Sequence, residues 1–407
     1  MDRVRTPHYG IGPQTPGPTI VRANGSMLYT DDGRQILDGG SGALVTNIGH
    51  GRPELAAVAA NAIARVDYVL PPWPTPARMS LAHTLVESWL PPTFHSVFLA
   101  SGGSEANDSA IRLARLYHLA NGDPGRWKVI GRSPSYHGST LATLAAGHHR
   151  ARRDGFDPFL SEWPKTPWND AKAVEAAIQA AGPETVSAFI AEPVIGAAGG
   201  ALVASSDYWA EVAEILARYG VLGIADEVMT GFGRTGRKWG IDHDPWSPDI
   251  IVSGKGLGGG YVPISLVAAN DRIADALNGS DAPLMFFTYS GHDLTCAVAG
   301  EVLRILQEEE LVARALTMGE RLRSELIRTL GSNPKVADIR GRGLMLGVEF
   351  DGVKTATVVA ACLERGLWIY PAGSGAPVPE SILVAPPLVV KNNEIDQIVS
   401  TLAAVLA

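Results

Sequence analysis

The sequence predicts an α/β fold, with a large domain built on a mostly parallel central sheet and a smaller α+β domain. Two observations support this prediction. Short apolar segments typical of strands alternate with amphipathic helical segments between residues 96 and 269, and such alternation favours a parallel sheet. Beyond residue 300 the alternation stops, and a charged helical segment leads into a glycine- and proline-rich finish.

The predicted strands are apolar runs at 96–100, 127–131, 187–193, 221–227, 249–254 and 264–269. Between them, residues 104–120 and 207–220 repeat apolar side chains at the spacing of a helix that buries one face. Ligands of parallel α/β sheets bind at the carboxyl ends of the strands. We therefore expect the functional residues in the segments that follow these strands.

The second domain is predicted from the change in sequence pattern beyond residue 300. We expect a large domain over 61–300 and a small domain over 301–407, the latter with a long charged helix at 301–330 and a strand at 338–350. Residues 1–60 contain glycine-rich turns that do not continue the alternation of strands and helices. We assign this N-terminal segment to the small domain.

Composition excludes several classes of protein. Of 407 residues, 46% are hydrophobic and 19% are charged, which is typical of a globular enzyme and not of a disordered chain. The formal net charge is −8, and no long basic run occurs, so neither nucleic acid nor an anionic membrane is an expected partner. A small-molecule substrate fits this composition better.

Targeting and cysteine signals are weak. The first residues, MDRVRTPHYGIGPQTPGP, lack the apolar core of an export signal, and no apolar run reaches membrane-spanning length. Cys296 and Cys362 form no CxxC pair, so we expect neither a disulfide framework nor a metal site. The expected location is the cytoplasm.

Two polar residues at predicted strand ends indicate chemistry. Lys255 follows one strand and precedes a glycine-rich loop, where backbone can approach a ligand closely. Burial or a nearby cation can lower the pKa of such a lysine enough to leave a usable amine. Asp226 ends another strand, where its carboxylate could keep a pyridine nitrogen protonated. A lysine for the aldehyde and an acid for the ring nitrogen are what pyridoxal 5'-phosphate (PLP) requires, so we predict this cofactor.

Two further strand ends fit the same cofactor. Gly102, Gly103 and Ser104 open a helix whose free N–H groups and positive dipole end suit a phosphate, although an ordinary strand–helix turn explains them too. Tyr136 follows the strand at 127–131 and could stack on a planar ring, although plain packing is the commoner role. The features at the four strand ends are together stronger evidence for a cofactor site than any one of them is alone.

Several motifs occur in an order that is typical of one family. They are GGSEAN (102–107), SYHG (135–138), AEPV (191–194), ADEVMTGFGRTG (225–236), SGKGLGGG (253–260), FTYSGH (287–292), RGRGLMLGVEF (340–350) and APPL (385–388). With these motifs the chain resembles the class III, or ω-type, PLP-dependent aminotransferases of fold type I. The resemblance runs from the LDGGSG segment near Leu37 almost to the C-terminus.

The resemblance implies roles for individual residues. Lys255 would bind PLP as a Schiff base, the internal aldimine, and move the proton between the substrate Cα and the cofactor. Asp226 would pair with the pyridinium nitrogen, and Glu192 would lie beside the substrate. The ring would lie between Val228 and Tyr136. The phosphate contacts implied are Gly102, Gly103, Ser104 and Thr288.

In the family, the threonine comes from the neighbouring subunit, so the resemblance implies an obligate homodimer with shared active sites. Side chains beside catalytic ones more often brace backbone than perform chemistry. On that ground we interpret four neighbours as structural: His137, Glu227, Arg234 and Arg340.

One element of the family pattern is missing. Many members place an arginine shortly before APPL, where it binds the substrate carboxylate. Residues 366–390 contain no Arg, Lys or His, and Tyr370 stands near that place. A substitute is the cluster HHRARR at 148–153, with Arg150, Arg152 or Arg153 as the cation, although such a run is more typical of a solvated loop.

The rest of the substrate pocket is less marked. Leu44 and Trp73 are apolar candidates, and core or interface packing explains them equally well. Together with Tyr370 they predict a largely apolar pocket that favours a substrate with a neutral body.

These features predict an aminotransferase that moves an amino group between an amine or amino acid and a keto acid or aldehyde by a ping-pong mechanism. Racemases or epimerases, aminomutases, phospholyases and decarboxylases share the lysine and stay open as alternatives. A nucleotide-binding dehydrogenase would need GxGxxG after a first strand and an acidic residue about 20 positions on, which we do not find. A non-catalytic scaffold is disfavoured because Asp226 and Lys255 are both present.

Overall fold

The structure is a computed structural model that describes residues 17–281, 285–373 and 378–407. Most of the N-terminal stretch on which the expectation of no export signal rests lies outside these ranges. Within them, no helix combines the length and the apolar character that a membrane crossing requires. The same residues contain no group of side chains that could hold a metal ion.

The strands are β1 (Ile20–Asn24), β2 (Met27–Thr30), β3 (Gln35–Asp38), β4 (Ser96–Ala100), β5 (Lys128–Ser133), β6 (Lys165–Pro167), β7 (Val186–Ala191), β8 (Val194–Ile195), β9 (Leu202–Val203), β10 (Leu222–Asp226), β11 (Ile250–Ser253), β12 (Ser265–Ala269), β13 (Val336–Arg342), β14 (Met345–Phe350), β15 (Leu367–Trp368), β16 (Tyr370–Ala372) and β17 (Ser381–Val384). The helices are α1 (Ser41–Leu44), α2 (Pro53–Arg65), α3 (Pro76–Thr84), α4 (Gly103–Ala120), α5 (Leu141–Ala146), α6 (Arg150–Arg153), α7 (Ala171–Ala181), α8 (Ser206–Tyr219), α9 (Asp271–Asn278), α10 (Asp293–Glu308), α11 (Leu311–Leu330), α12 (Thr355–Glu364) and α13 (Asn392–Leu406).

The central sheet has the strand order β4-β12-β11-β10-β7-β5-β6 in the described part of the chain. Strands β11, β10, β7, β5 and β6 are parallel, and β12 is antiparallel to both of its neighbours. The prediction of a mostly parallel sheet is confirmed, and each predicted strand overlaps an observed one. Strand β6, at the edge, was not predicted.

Burial on both faces explains why these strands are continuous apolar runs. Alternate residues of β7 belong to two different apolar clusters, with Phe189 in one and Ile190 in the other. Helix α4 packs against β11 and β12, and α8 packs against β10. Parallel strands covered by helices in this way lose the polar–apolar alternation of an exposed sheet.

Two smaller sheets flank the central one. The first has the order β1-β2-β3-β15 and the second β13-β14-β17-β16. Because β3 near the N-terminus pairs in parallel with β15, the N-terminal strands join the C-terminal region, as our assignment of residues 1–60 to the small domain requires. The domain boundaries at 60 and 300 stay predictions.

Two predictions for the C-terminal region are wrong. The helix predicted at 301–330 is divided into α10 and α11, since Glu310 has a left-handed backbone (φ +51°) that cannot continue the helix. The strand predicted at 338–350 is a hairpin of β13 and β14. Gly343 takes the positive φ (+53°) that this tight turn requires.

Candidate active site

The carboxyl ends of the central strands surround a cavity of about 160 Å³. Asp226 ends β10, Glu192 follows β7, and Lys255 comes two residues after β11. The residues that line the cavity are Gly103, Ser104, Asn107, Tyr136, His137, Gly138, Glu192, Asp226, Val228, Met229 and Lys255. The structure therefore brings most of the predicted site residues together at one edge of the sheet.

Lys255 is held by an unusual backbone. Its φ of +36° lies in the left-handed region that side-chain-bearing residues rarely adopt, and such strain is often found at functional sites. Burial lowers the pKa of Lys255 to about 8. The carboxylates of Asp226 and Glu192 oppose this shift, and the cations Arg152 and Arg234 add to it. A usable fraction of free amine at neutral pH is the consequence.

Asp226 is fixed by three hydrogen bonds. Its Oδ2 accepts from Asn107 Nδ2 at 2.9 Å and from the ring Nδ1 of His137 at 2.7 Å, and its Oδ1 accepts from the backbone N–H of Val228 at 3.1 Å. The carboxylate is only 4% exposed. Buried carboxylates held by charge-favouring donors keep a single orientation, so Asp226 presents its charge to the cavity in a defined direction.

Asn107 was missed as a site residue, although it belongs to a motif that carries the resemblance. It follows Ser104 by one turn of α4, and residues spaced by three lie on one face of a helix. Its amide also donates to the backbone oxygen of His137 at 2.8 Å, which ties the segment after β5 to Asp226. That helical spacing is the signal that could have found it.

Glu192 braces the opposite wall. Its Oε1 accepts from the backbone N–H of Tyr136 at 2.9 Å, and its Oε2 accepts from that of Gly196 at 3.1 Å. Burial raises the pKa of this carboxyl, and the nearby Asp226 charge contributes in the same direction. The buried guanidinium of Arg132 donates to the Glu192 backbone oxygen, so the residue is fixed at both ends.

The start of α4 forms the third wall. Gly102 precedes the helix in an extended conformation, and a Cβ on Gly103 would lie 2.9 Å from a methyl group of Val228. Only glycine keeps this wall open. Ser104 Oγ accepts from the backbone N–H of Ser139 at 3.1 Å, and the free N–H groups of the first helical turn give an anion-binding end.

Arg152 contacts two tyrosines, of which Tyr136 lines the cavity. The guanidinium carbon of Arg152 lies 4.4 Å from the centre of the Tyr136 ring, and Arg152 Nη2 lies 3.4 Å from the Tyr370 hydroxyl. Arg150 is exposed instead, 3.9 Å from Asp154. The sequence leaves the choice among Arg150, Arg152 and Arg153 open, and Arg152 is the one beside the cavity wall.

The remaining predicted residues lie apart from the cavity or behind its wall. Leu44 is 1% exposed and belongs to the same apolar cluster as Met229, with Tyr370 packed against it. Trp73 is 59% exposed, and Thr288 is also exposed. Neither of these two lines the cavity of the single chain.

The neighbours interpreted as structural make contacts with backbone. Glu227 accepts from the N–H groups of Gly240 and Ile241, both at 2.8 Å. Arg234 donates to the backbone oxygens of Leu344 and Pro386. Arg340 binds the oxygens of Gly199 and Gly200. His137 differs, because its ring touches Asp226 directly.

Comparisons with known proteins agree with this geometry. The family model described as aminotransferase class-III matches residues 13–406. The chain is 36% identical to the uncharacterized aminotransferase YhxA of Bacillus subtilis, covering 93% of this chain and 90% of that one. It is 33% identical to a putrescine–pyruvate aminotransferase of Pseudomonas aeruginosa, covering 95% and 92%.

Comparison with solved structures also finds aminotransferases. The structure matches a thermostable (S)-enantioselective omega-transaminase from Thermomicrobium roseum with a TM-score of 0.91 and 35% identity, covering 98% of this chain and 96% of that one. The prediction of fold type I is confirmed, and the comparisons give no support to a dehydrogenase or a non-catalytic scaffold. The chain belongs to the class III aminotransferase family and is an aminotransferase.

Proposed function

We propose that this aminotransferase uses PLP bound to Lys255, and that it transfers an amino group from an amine or amino acid to a keto acid or aldehyde in two half-reactions. The observation that carries the proposal is the convergence of Lys255, Asp226 and the start of α4 on one cavity. A nucleophilic amine, a fixed carboxylate and an anion-binding helix end match three of the polar groups of PLP: its aldehyde, its ring nitrogen and its phosphate.

The residues present fit the cofactor. His137 Nε2 and Asn107 Oδ1 are buried side-chain atoms without a hydrogen-bond partner among the described residues, and both belong to residues that line the cavity. Val228 and Tyr136 supply apolar surface for a planar ring. Ser104 and the N–H groups that follow Gly102 would hold the phosphate.

When bound, PLP would carry the amino group between the half-reactions and withdraw electrons from the substrate Cα. The work of the chain is then to hold and move protons. Asp226 would keep a proton on the ring nitrogen, because its buried charge is directed by His137 and Asn107. The Nζ of Lys255 would hold and move the proton of the substrate Cα.

Glu192 has a positioning role in this proposal. Its carboxylate orients the backbone of Tyr136 at 2.9 Å and adds negative potential beside Lys255. The same potential opposes the effect of burial on the lysine pKa. Glu192 therefore limits how far Lys255 loses its charge before it binds the cofactor.

The proposal includes a homodimer with shared active sites. Thr288 stands in the sequence between Phe286 and Tyr289. An apolar patch joins these two side chains to Leu70, Trp73 and Met79, since each is about half exposed and Met79 and Phe286 line one cavity. Exposed apolar patches of this kind mark interaction sites. Arg78 holds the patch together, since it donates to the backbone oxygens of Pro71 and Gly291, both at 2.8 Å.

Thr288 fits the role of a residue that completes a partner's phosphate site, because it is exposed within this patch and does not line the cavity of its own chain. Trp73 would reach the partner's pocket by the same route. A cytoplasmic location stays a prediction.

Borohydride reduction tests the cofactor assignment. The holoenzyme should show an absorbance band that reduction abolishes, with the reduced cofactor attached to the peptide containing Lys255. Lys255→Ala should retain no more than trace turnover. Labelling of another lysine, for example Lys165, would refute the assignment. An amine half-reaction without a second substrate should release one oxo product per site, which a racemase or decarboxylase would not do.

A further inference from the structure

Arg152 is the one arginine of α6 without a carboxylate partner among the described residues. Arg150 lies 3.9 Å from Asp154, and Arg153 Nε donates to Asp157 at 3.1 Å. Within the described part of the chain, the guanidinium of Arg152 contacts the face of Tyr136 and the hydroxyl of Tyr370. Its guanidinium therefore carries a charge that no carboxylate of the described residues pairs with, beside the Tyr136 wall of the cavity that contains Lys255.

Both contacts of Arg152 are weak enough to be exchanged. A cation–π contact at an accessible site is weak, and the 3.4 Å contact with Tyr370 is long for a hydrogen bond. A carboxylate can accept two parallel hydrogen bonds from the guanidinium plane, which is a stronger arrangement than either contact. Arg152 is thus a cation whose contacts with two aromatic side chains a carboxylate could replace.

We propose that Arg152 binds the carboxylate of an acidic co-substrate and returns to Tyr136 and Tyr370 when the neutral amine substrate occupies the site. This inference rests on the proposed function and names its substrate class: a 2-oxo acid as amino acceptor, for which pyruvate is the probe. Apart from Lys255, which the proposed function assigns to the cofactor, the charged side chains that line the cavity are the carboxylates Glu192 and Asp226, which repel an acid. Arg152 is therefore the cation available for the carboxylate of an acid.

Tyr370 has a definite part in the proposal. It lies on β16, near the place where many members of the family have their carboxylate-binding arginine, and its hydroxyl is directed to Arg152. We infer that it holds the guanidinium over the pocket in the absence of an acid. Tyr370→Phe keeps the ring and removes the hydroxyl, so it should change the affinity for the acid more than the rate of the amine half-reaction.

The kinetic test compares two acceptors. For Arg152→Gln, kcat/KM for pyruvate should fall by roughly 10- to 100-fold, the range expected from the loss of charge-assisted hydrogen bonds, while kcat/KM for a neutral aldehyde changes less than about threefold. Arg152→Lys keeps the charge without the planar fork, and it should recover part of the loss. Arg218→Gln, an exposed site on α8 whose partner is Glu175, is the matched control and should affect neither acceptor.

A binding measurement separates this inference from turnover. Oxamate, an unreactive carboxylate of similar size to pyruvate, should bind the holoenzyme in calorimetry. Its affinity should drop by the same factor in Arg152→Gln and stay unchanged in Arg218→Gln. Equal losses for pyruvate and the aldehyde would overturn the proposal, as would unchanged oxamate binding or a selective loss in Arg150→Gln instead.

Failure here is distinguishable from failure of the proposed function. The amine half-reaction uses no acid, so its rate and its released oxo product report on Lys255 and the cofactor alone. If that half-reaction proceeds and Arg152→Gln has no selective effect, the aminotransferase proposal stands and the role of Arg152 falls.

Discussion

The Oδ2 atom of Asp226 lies 2.7 Å from Nδ1 of His137, and both side chains are almost fully buried. Because His137 Nε2 has no partner among the described residues, the ring is best placed to carry its proton on Nδ1 and donate it to the carboxylate. Asn107 adds a second donor to the same oxygen. The direction of the Asp226 charge is therefore set before any ligand binds.

Asp226→Asn should keep the shape of this site and remove its charge. The cofactor should still bind, because the lysine and the phosphate site are unchanged, but kcat should fall by about a hundredfold or more since the ring nitrogen loses its counter-charge. Absorbance spectra of the purified variant check cofactor content, and stopped-flow half-reactions check the rate. Activity close to that of the parent would contradict the role.

The lowered pKa of Lys255 predicts how the apoenzyme captures its cofactor. Only the unprotonated amine attacks an aldehyde, so the rate of PLP capture should rise with pH and level off above about 8. An ordinary lysine would level off more than two pH units higher. Replacing Arg152 with Gln removes a cation that lowers this pKa, and the midpoint should shift upward. A capture rate that keeps climbing to pH 10 would contradict the prediction.

The positions of Asp226 and Lys255 could be predicted because each follows an unbroken apolar strand, and parallel strands bring their carboxyl ends to one edge of the sheet. Which of Arg150 and Arg152 lies beside the cavity could not be predicted in this way. Helix α6 spans only Arg150–Arg153, so no periodicity in the sequence fixes which side chain faces the cavity.

Turns and helix breaks inside long segments with one continuous pattern also could not be predicted from the sequence. Residues 338–350 are apolar enough for one strand, and the turn at Gly343 is set by pairing between β13 and β14. The break between α10 and α11 at Glu310 likewise follows from tertiary packing, because Leu311 is buried just after it. Thr288 and Trp73 are a different case, since any role across an interface needs a second chain.

Mixing two inactive variants tests the shared site. Lys255→Ala supplies an intact Thr288, and Thr288→Val supplies an intact Lys255. In a heterodimer, one site would then combine both native residues, so mixing after dissociation and reassembly should restore cofactor affinity and up to about half of the parental activity per heterodimer. If Thr288 served its own chain, or if the protein were a monomer, mixing would restore nothing.

The apolar wall near Met229 should control the size of the amine that is accepted. Met229 lines the cavity and packs in one cluster with Leu44, so truncating either side chain enlarges the space next to the substrate. For Met229→Ala we expect the ratio of kcat/KM for a bulky neutral amine to that for a small one to rise by roughly tenfold, the scale on which hydrophobic pockets discriminate methylene groups.

Leu44→Ala should raise the same ratio and also lower stability by about 2–5 kcal/mol, because Leu44 is 1% exposed and its removal leaves a cavity. The control is Ile178→Ala, which truncates a fully buried residue of α7 in a different apolar cluster. It should lose comparable stability in urea unfolding without a change in the amine ratio. If all three variants changed the ratio equally, general loosening of the fold would explain the effect, and the predicted apolar pocket would be wrong. If Met229→Ala alone changed it, Leu44 would belong to the core behind the wall.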